Sequence, residues 1–258
     1  MIAAASPTLR STVYGAVEID LDDPAELYHE ASKLYPALRE RQAAGIARLA
    51  QDDDLQAAAQ HPIRRNRQLP SIELVAPPPP AASLWSAIAE RRSGHALTGA
   101  SLGVDALATL LLAGYGPRAV PSGGALYPLE VYVAAARVEG LPEGVFHLDP
   151  ERAVLEILHD GNVAEDLAAA MPLPGLLDDA CAVIFVTAVF WRTRFKYGLR
   201  GYRFALLEAG HLMQNVLLAA TVLGMTAFPL GGFYDAAVEE LLGVDGIDES
   251  VVYGAVLG

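Results

Sequence analysis

The 258-residue chain is long enough for one sizeable domain, and its 53% apolar and 19% charged residues indicate a well-filled core. Its formal net charge of -13 argues against a general nucleic-acid or anionic-membrane binder, because such contacts need a basic face. One cysteine, Cys181, excludes an internal disulfide and a cysteine-based zinc cluster, and we expect it to be a plain buried thiol.

The N-terminal part is predicted to be helical. Its first residues lack a basic region followed by a long apolar core, so we expect no signal peptide and a cytoplasmic location. Residues 24–50 have helical spacing, with Asp23 as N-cap and Glu26 at the capping-box position. This helix is a candidate for docking a partner, for capping a dimer, or for packing over the rest of the chain.

Two stretches then mark a boundary. Residues 61–70 form a basic, Pro-bounded connector, and residues 76–83 form a Pro-rich linker. We therefore predict an N-terminal helical extension with its linker over 1–75 and a second domain over 76–258.

Helices and strands alternate through the second domain, which predicts a mixed α+β layer architecture. Ser83 caps a helix whose apolar face holds Leu84, Trp85, Ile88 and Ala89. Residues 144–158 read as a hairpin around an Asp-Pro turn. The other predicted helices span 104–113, 163–170, 204–223 and 236–242, and the other strands span 131–136, 182–191 and 251–257.

The most apolar helical stretch, 204–227, is interrupted by polar residues and is therefore expected to be buried in a soluble protein rather than in a membrane. Glu208, His211 and Asn215 have the spacing of one helix face. A Glu-x-x-His pair binds metal in helical bundles only together with a second such pair, which is missing here. We expect a hydrogen-bonded polar stripe and no metal site.

Three loops hold residues suited to an anionic or flat ligand. "ERRSGH" places Arg91, Arg92, Ser93 and His95 at a helix end, where guanidinium groups either bind phosphate or complement the helix dipole. "PSGG" and "PLGG" contain paired glycines that let a backbone approach a ligand closely. Neither fits the dinucleotide fingerprint, and we find no Walker loop and no G-x-S-x-G elbow.

The segment 192–203, "RTRFKYGLRGYR", carries five of the 18 cations of this acidic chain. Within it, a lysine near other cations and partly removed from water can act as a base, and Tyr197 beside Lys196 can relay a proton. The alternative is a solvated turn between a strand and a helix.

The order and spacing of "ERRS", "VPSGGALYPLEVYV", "KYGLRGYRFALLEAGHLMQNVLLAA" and "FPLGGF" resemble the nitroreductase superfamily. More narrowly, they resemble the SagB-type dehydrogenases, the azoline oxidases of azole-peptide biosynthesis. The resemblance covers nearly the whole chain and is strongest over 83–258. It implies a nitroreductase-like flavin fold, with a central mixed or antiparallel sheet flanked by helices, and a homodimer that holds FMN at its interface.

The resemblance also implies roles for individual residues. The catalytic pair is Lys196 and Tyr197. The residues implied to bind FMN are Arg91, Arg92, Ser93 and His95 at its phosphate and ribityl end, Pro121, Ser122 and Gly123 from the partner subunit, and Leu230, Gly231 and Gly232 near the ring. Many nitroreductases carry basic residues beyond the last strand, and Arg200 or Arg203 is the candidate to supply that charge here.

By this resemblance, the expected activity is FMN-dependent oxidation of a peptide thiazoline or oxazoline to the thiazole or oxazole. Its substrate is a modified precursor peptide or a carrier-bound azoline, made by a separate cyclodehydratase, with no nucleic-acid or membrane partner. One alternative is an NAD(P)H-dependent reductase of nitroaromatics or quinones with the same fold. A third is a non-catalytic binding subunit that has lost flavin.

Overall fold

The computed structural model describes residues 22–59, 68–78, 80–94, 96–173 and 175–258. The start of the chain, most of the predicted basic connector and His95 lie outside these residues. Within them, the helices are α1 Pro24–Ala31, α2 Arg39–Gln51, α3 Asp53–Ala59, α4 Leu84–Glu90, α5 Val104–Tyr115, α6 Ala164–Ala169, α7 Trp191–Tyr197, α8 Leu199–Val222 and α9 Asp235–Leu242. The strands are β1 Ser71–Glu73, β2 Leu102–Gly103, β3 Leu129–Ala135, β4 Val138–Glu139, β5 Gly144–Asp149, β6 Val154–Asp160, β7 Ala182–Ala188, β8 Ala227–Leu230 and β9 Ser250–Leu257.

Seven strands form one sheet in the order β1-β6-β5-β3-β7-β9-β8, and its neighbours pair antiparallel. The predicted hairpin is present as β5 and β6, where Asp149 accepts backbone N–H bonds from Glu151 and Arg152 in the turn. The strands β2 and β4 form a small parallel pair. The fold class predicted from the sequence is therefore confirmed.

The sheet is buried on both faces because alternate residues of its central strands point into two separate cores. Val131 and Val133 of β3 face α5 and α8, whereas Tyr132 and Ala134 face α6 and α9. Cys181, just before β7, is buried as expected, and its thiol donates to Leu257 O at 3.1 Å. Helix α8 is long and apolar enough to cross a membrane by length and composition alone, but one side of it lies in the first core, as in a core helix.

The N-terminal extension is not one helix. Asp23 caps α1 as predicted, accepting from Ala25 N at 2.8 Å, but α1 ends at Ala31. A short 3-10 helix, Pro36–Leu38, separates α1 from α2, because Pro36 has no N–H to continue an α-helical ladder. Strand β1, which lies within the predicted extension, joins the edge of the main sheet against β6.

Helix α4 begins as predicted, with Ser83 Oγ accepting from Trp85 N at 3.2 Å. Its apolar face does not pack into the core of this chain. Leu84, Trp85 and Ile88 are 62%, 77% and 48% exposed, and the buried residue of the helix is Ala87.

Candidate active site

The basic segment is helical and not a turn. The strand predicted over 182–191 ends at Ala188, and α7 begins at Trp191. Gly198, with φ 57° and ψ -138°, joins α7 to α8 in a conformation that favours glycine. Thr193 Oγ1 fastens the junction by donating to Gly201 O at 3.0 Å.

This junction brings Lys196 and Tyr197 against the glycine pair of the "PSGG" turn in the same chain. A methyl group added at Gly124 would lie 2.5 Å from Tyr197 Oη and 2.7 Å from Lys196 Nζ. Lys196 Nζ lies 5.2 Å from the centre of the Tyr197 ring, and that ring meets the Phe204 ring edge-on at 5.0 Å. A potential base and a potential proton donor therefore converge on one exposed backbone position.

The turn that they contact is strained. Gly124, Ala125 and Tyr127 have φ values of 69°, 55° and 40°, so two non-glycine residues occupy the left-handed region. Ser122 Oγ stabilises the turn by accepting from Tyr127 N at 2.8 Å. Backbone strain of this kind clusters at functional sites.

A buried carboxyl lies beneath the turn. Glu208 of α8 is 2% exposed, and its Oε1 accepts from Tyr115 Oη at 2.9 Å. Its Oε2 is buried and has no hydrogen-bond partner in the described part of the chain. Burial raises the pKa of Glu208 to about 7, and the nearby hydroxyls of Ser122 and Tyr115 oppose the shift. Glu208 can thus hold a proton near neutral pH.

A chain of alternating charges ties α7 to the sheet. Arg192 of α7 pairs with Glu130 at 2.5 Å, and the two ring nitrogens of His147 lie 2.9 Å from Glu130 and Glu156. Arg152 Nη1 contacts Glu156 at 3.2 Å at the far end. Burial alone would lower the pKa of His147, but the hydrogen bonds and charges of the two carboxylates outweigh it and raise that pKa.

The predicted phosphate residues lie elsewhere in the chain. Arg91 is half-buried, and its Nη1 lies 3.5 Å from Ser93 Oγ. Arg92 instead donates to Ala89 O at 2.7 Å and to Arg91 O at 2.9 Å, so its guanidinium group caps α4. Gly94 N donates to Ala227 O, which places this loop at the start of β8.

The second predicted glycine loop continues from β8. Leu230 is buried at the end of the strand, and Gly231 and Gly232 are exposed after it. A methyl group added at Gly231 would lie 3.9 Å from Tyr253, and one added at Gly232 would meet nothing within 4 Å. The backbone here is open to a ligand along its surface.

These residues form two clusters at opposite ends of α8. Gly123 packs on Phe204 near the start of the helix, at the Lys196 end. Ala87, just before Arg91, lines a cavity with Ala219 and Val222 near the end of the helix. Since a helix rises 1.5 Å per residue, Phe204 and Val222 are about 27 Å apart. The structure therefore does not bring all the predicted residues together within one chain.

The remaining predicted residues lie at the Lys196 end. Arg200 lines a cavity beside Lys196, and Arg203 Nη2 donates to His29 O at 2.7 Å. Pro121 is exposed next to the strained turn. Arg203 thus contacts the N-terminal extension.

The sequence reading missed Gly124 and Glu208 as site residues. The signal for Glu208 was a lone acid in an apolar helix, but it was assigned to a shared face with His211 and Asn215. The expected hydrogen-bonded stripe is present at two of its three positions. Glu208 is buried against Tyr115, His211 is exposed, and Asn215 Nδ2 donates to Ala119 O at 3.2 Å.

Known proteins match this chain over most of its length. The sequence profile of the nitroreductase family matches residues 88–258. A Methanocaldococcus jannaschii protein described as a putative nitroreductase is 36% identical over 181 residues, 68% of this chain and 88% of that protein. The microcin B17-processing protein McbC of Escherichia coli is 32% identical over 136 residues, 50% of this chain and 49% of McbC. The trifolitoxin-processing protein TfxB of Rhizobium leguminosarum is 30% identical over 140 residues, 52% of this chain and 38% of TfxB.

Solved structures share the fold. The structure of a putative nitroreductase from Anabaena variabilis has a TM-score of 0.67 at 31% identity. The match covers 74% of this chain and 42% of that one. A chain of the Escherichia coli microcin synthetase McbBCD complex, solved with truncated pro-MccB17 bound, has a TM-score of 0.61 at 23% identity and covers 94% of this chain and 98% of that one. The profile spans well over half of the sequence, and the resemblance seen in its motifs is confirmed: this chain belongs to the nitroreductase family.

Proposed function

We propose that this protein is an FMN-dependent dehydrogenase that oxidises a thiazoline or oxazoline of a modified peptide to the thiazole or oxazole. The observation that carries the proposal is the convergence of Lys196 Nζ and Tyr197 Oη on Gly124 of the strained turn. Two relatives, McbC and TfxB, are named as the processing proteins of microcin B17 and of trifolitoxin, which supports a peptide substrate. The proposed location is the cytoplasm.

The residues present fit FMN at the β8 end of the chain. Arg91 is a half-buried cation that forms no ion pair within the described residues, and Ser93 beside it offers a hydroxyl. Gly231 and Gly232 present an open backbone about 13 Å further along β8 from the loop, at roughly 3.3 Å per strand residue. When bound there, FMN supplies the two-electron acceptor for the hydride that leaves the ring.

The split between the clusters supports a homodimer. Gly123 packs near Phe204 and α4 packs near Val222, about 27 Å apart along α8, and we infer from this separation that one chain does not place Lys196 over a flavin held by its own Arg91. We infer that the partner subunit contributes Pro121, Ser122, Gly123, Lys196 and Tyr197. The exposed apolar residues of α4, together with Leu206 and Leu207 of α8 at 42% and 61% exposure, supply an apolar surface for a second copy.

The protein's own groups would handle the proton. The azoline Cα–H is acidified by the adjacent imine and carbonyl, and Lys196 or Tyr197 accepts that proton while the hydride leaves Cβ. The ion pair between Arg192 and Glu130 attaches α7 to the sheet and so holds Lys196 and Tyr197 in position. His95 and Arg203 remain proposed phosphate ligands, whereas Arg200 lines the cavity beside Lys196. A separate cyclodehydratase would supply the azoline substrate.

Mass spectrometry of an azoline peptide after incubation with the FMN-loaded protein tests the proposal. We expect loss of two hydrogens, which Lys196→Ala abolishes without loss of FMN. The variant Glu165→Gln, at an exposed glutamate of α6 outside this site, is the control and should retain full activity. Full azoline oxidation by Lys196→Ala would contradict the assigned role.

One observation favours a second candidate, an NAD(P)H-dependent reductase. The Methanocaldococcus jannaschii relative described as a nitroreductase is 36% identical and is matched over 88% of its length. Consumption of NAD(P)H with a nitroaromatic or quinone acceptor, without azoline oxidation, would select that function. A purified protein without flavin absorbance would instead select a non-catalytic subunit.

A further inference from the structure

A cavity of about 490 Å³ lies between the N-terminal extension and the α7–α8 junction. The extension forms one side through Ala31–Leu34 and Gly45, and residues 194–200 form the other. Gly45 permits this close approach, because a methyl group there would lie 2.3 Å from Phe195 O. Lys196 and Tyr197 both line the cavity, so it adjoins the proposed catalytic pair.

The cavity is basic in an acidic protein. Lys33, Arg194, Lys196 and Arg200 line it, and no aspartate or glutamate is among the described residues of its lining. Lys33 pairs with Glu30. Arg194, Lys196 and Arg200 are half-buried, and none of them forms an ion pair with the described residues.

This arrangement is unfavourable without an anion. Arg194 and Arg200 stay charged whatever the protonation state of Lys196, and two partly desolvated cations without a partner carry an electrostatic penalty. Arg194 illustrates the point: its guanidinium stacks over Trp191 at 4.5 Å, and its buried Nε has no hydrogen-bond partner in the described structure. The charges indicate that a ligand supplies the negative partner.

We propose that this cavity binds a carboxylate of the substrate, carried by an acidic residue next to the ring that is oxidised. The inference rests on the proposed function, since it names the peptide that the Lys196–Tyr197 pair would process. A peptide carboxylate suits the site because Lys196 and Tyr197 themselves line it. The anion must therefore lie within about one residue of the reacting ring, whereas the phosphate of a carrier arm lies at the far end of a long linker.

Tryptophan fluorescence provides a direct binding test. The chain has two tryptophans, and Trp85→Phe leaves Trp191, which stacks on Arg194, as the reporter. The FMN-loaded variant is titrated with a thiazole peptide that has Glu beside the ring and with its Gln counterpart. We expect roughly tenfold tighter binding of the Glu peptide, and Arg200→Gln should remove most of that difference.

Arg48→Gln, at an exposed arginine of α2 that does not line the cavity, is the matched control and should preserve the preference. Equal affinity for the two peptides, or a preference that survives Arg200→Gln, would overturn the inference. Tighter binding of a phosphopantetheine analogue than of the Glu peptide would overturn it too.

Turnover separates this inference from the function on which it rests. With azoline versions of the two peptides, we expect a lower KM for the Glu peptide and little change in kcat, since the carboxylate is bound in the cavity and takes no part in breaking the Cβ–H bond. Oxidation of both peptides with equal KM refutes the carboxylate site alone. Failure to oxidise either peptide, with tight binding of the Glu peptide retained, refutes the function alone.

Discussion

At the scale of single residues, the proposed site depends on two residues, Gly124 and Glu208, to which we assign no catalytic step. Gly124 provides a surface without a side chain, on which Lys196 and Tyr197 converge. Glu208 lies beneath the same turn, with one oxygen bonded to Tyr115 and the other without a hydrogen-bond partner among the described residues. Small changes at either position test how closely the turn and the catalytic pair are coupled.

Gly124→Ala is expected to reduce azoline oxidation about 100-fold, because a misplacement of roughly 1 Å can have that effect and the new methyl group would collide with Lys196 Nζ and Tyr197 Oη. Gly224→Ala is the matched control, since Gly224 has the same φ of 69° but open space around it. Both substitutions should destabilise the fold by about 1 kcal/mol through strain. Equal activity in the two variants would show that the contact is irrelevant to catalysis.

Glu208→Gln is expected to change the pH dependence of stability. The folded pKa of about 7 lies above the ordinary value of 4.5, so Glu208 favours folding below about pH 4.5, and that contribution is lost as the pH rises through about 7. Urea unfolding should therefore show Glu208→Gln gaining roughly 3 kcal/mol over the wild type between pH 5 and pH 8. The exposed Glu165→Gln should follow the wild type, and a parallel pH profile for Glu208→Gln would contradict the assignment.

At the scale of elements, α7 is short and depends on its attachments. It is attached to the sheet by the ion pair between Arg192 and Glu130, which also contacts His147. It is attached to α8 by the hydrogen bond that Thr193 donates. Helix α2 packs on its last turn at Gly45. A seven-residue helix is marginal alone, so these contacts decide where Lys196 lies.

Arg192→Gln is expected to destabilise the protein by roughly 1–3 kcal/mol, because the buried Glu130 loses its Arg192 partner while its contact with His147 remains. The double variant Arg192→Gln with Glu130→Gln should recover part of the loss, since it also removes the carboxylate that Arg192 neutralised. Denaturant unfolding of the two single variants and the double variant measures this coupling. Additive effects would show that the pair does not anchor α7.

At the scale of the whole molecule, the separation of the two clusters is the reason for the proposal that the site is shared between two subunits. The helix that precedes Arg91 packs near one end of α8, and Lys196 and Gly124 lie at the other. The exposed apolar residues of α4 have no partner within the described chain. A second copy would resolve both observations at once.

Complementation between inactive variants tests this arrangement. Co-expressed Arg91→Ala and Lys196→Ala chains form mixed dimers in which one of the two sites has both native residues, so a random mixture should recover about one quarter of the wild-type activity. Each variant expressed alone should remain inactive. No recovery in purified mixed dimers would place both residues in the site of a single chain.

Local chemistry made much of the fold predictable. The caps at Asp23 and Ser83, the Asp-Pro hairpin and the buried thiol of Cys181 follow from short segments and were confirmed. The break of the extension at Pro36 and the early end of β7 were not anticipated. The break follows from the missing N–H of Pro36 itself, whereas the end of β7 depends on packing beyond a few neighbouring residues. The division between 1–75 and 76–258 remains a prediction.

The sequence by itself determined the family and the residue types of the site, because motif order, glycine pairs and a Lys-Tyr dipeptide are properties of the linear chain. Only the tertiary structure decided which of these residues meet. Helix α8 places Arg91 and Lys196 at opposite ends, packing buries Glu208 and exposes His211, and the α7–α8 junction turns the basic segment into one wall of a cavity. The physical reason is that the distances, burial and charge pairing of these residues depend on contacts between elements far apart in sequence. A local sequence pattern does not predict such contacts.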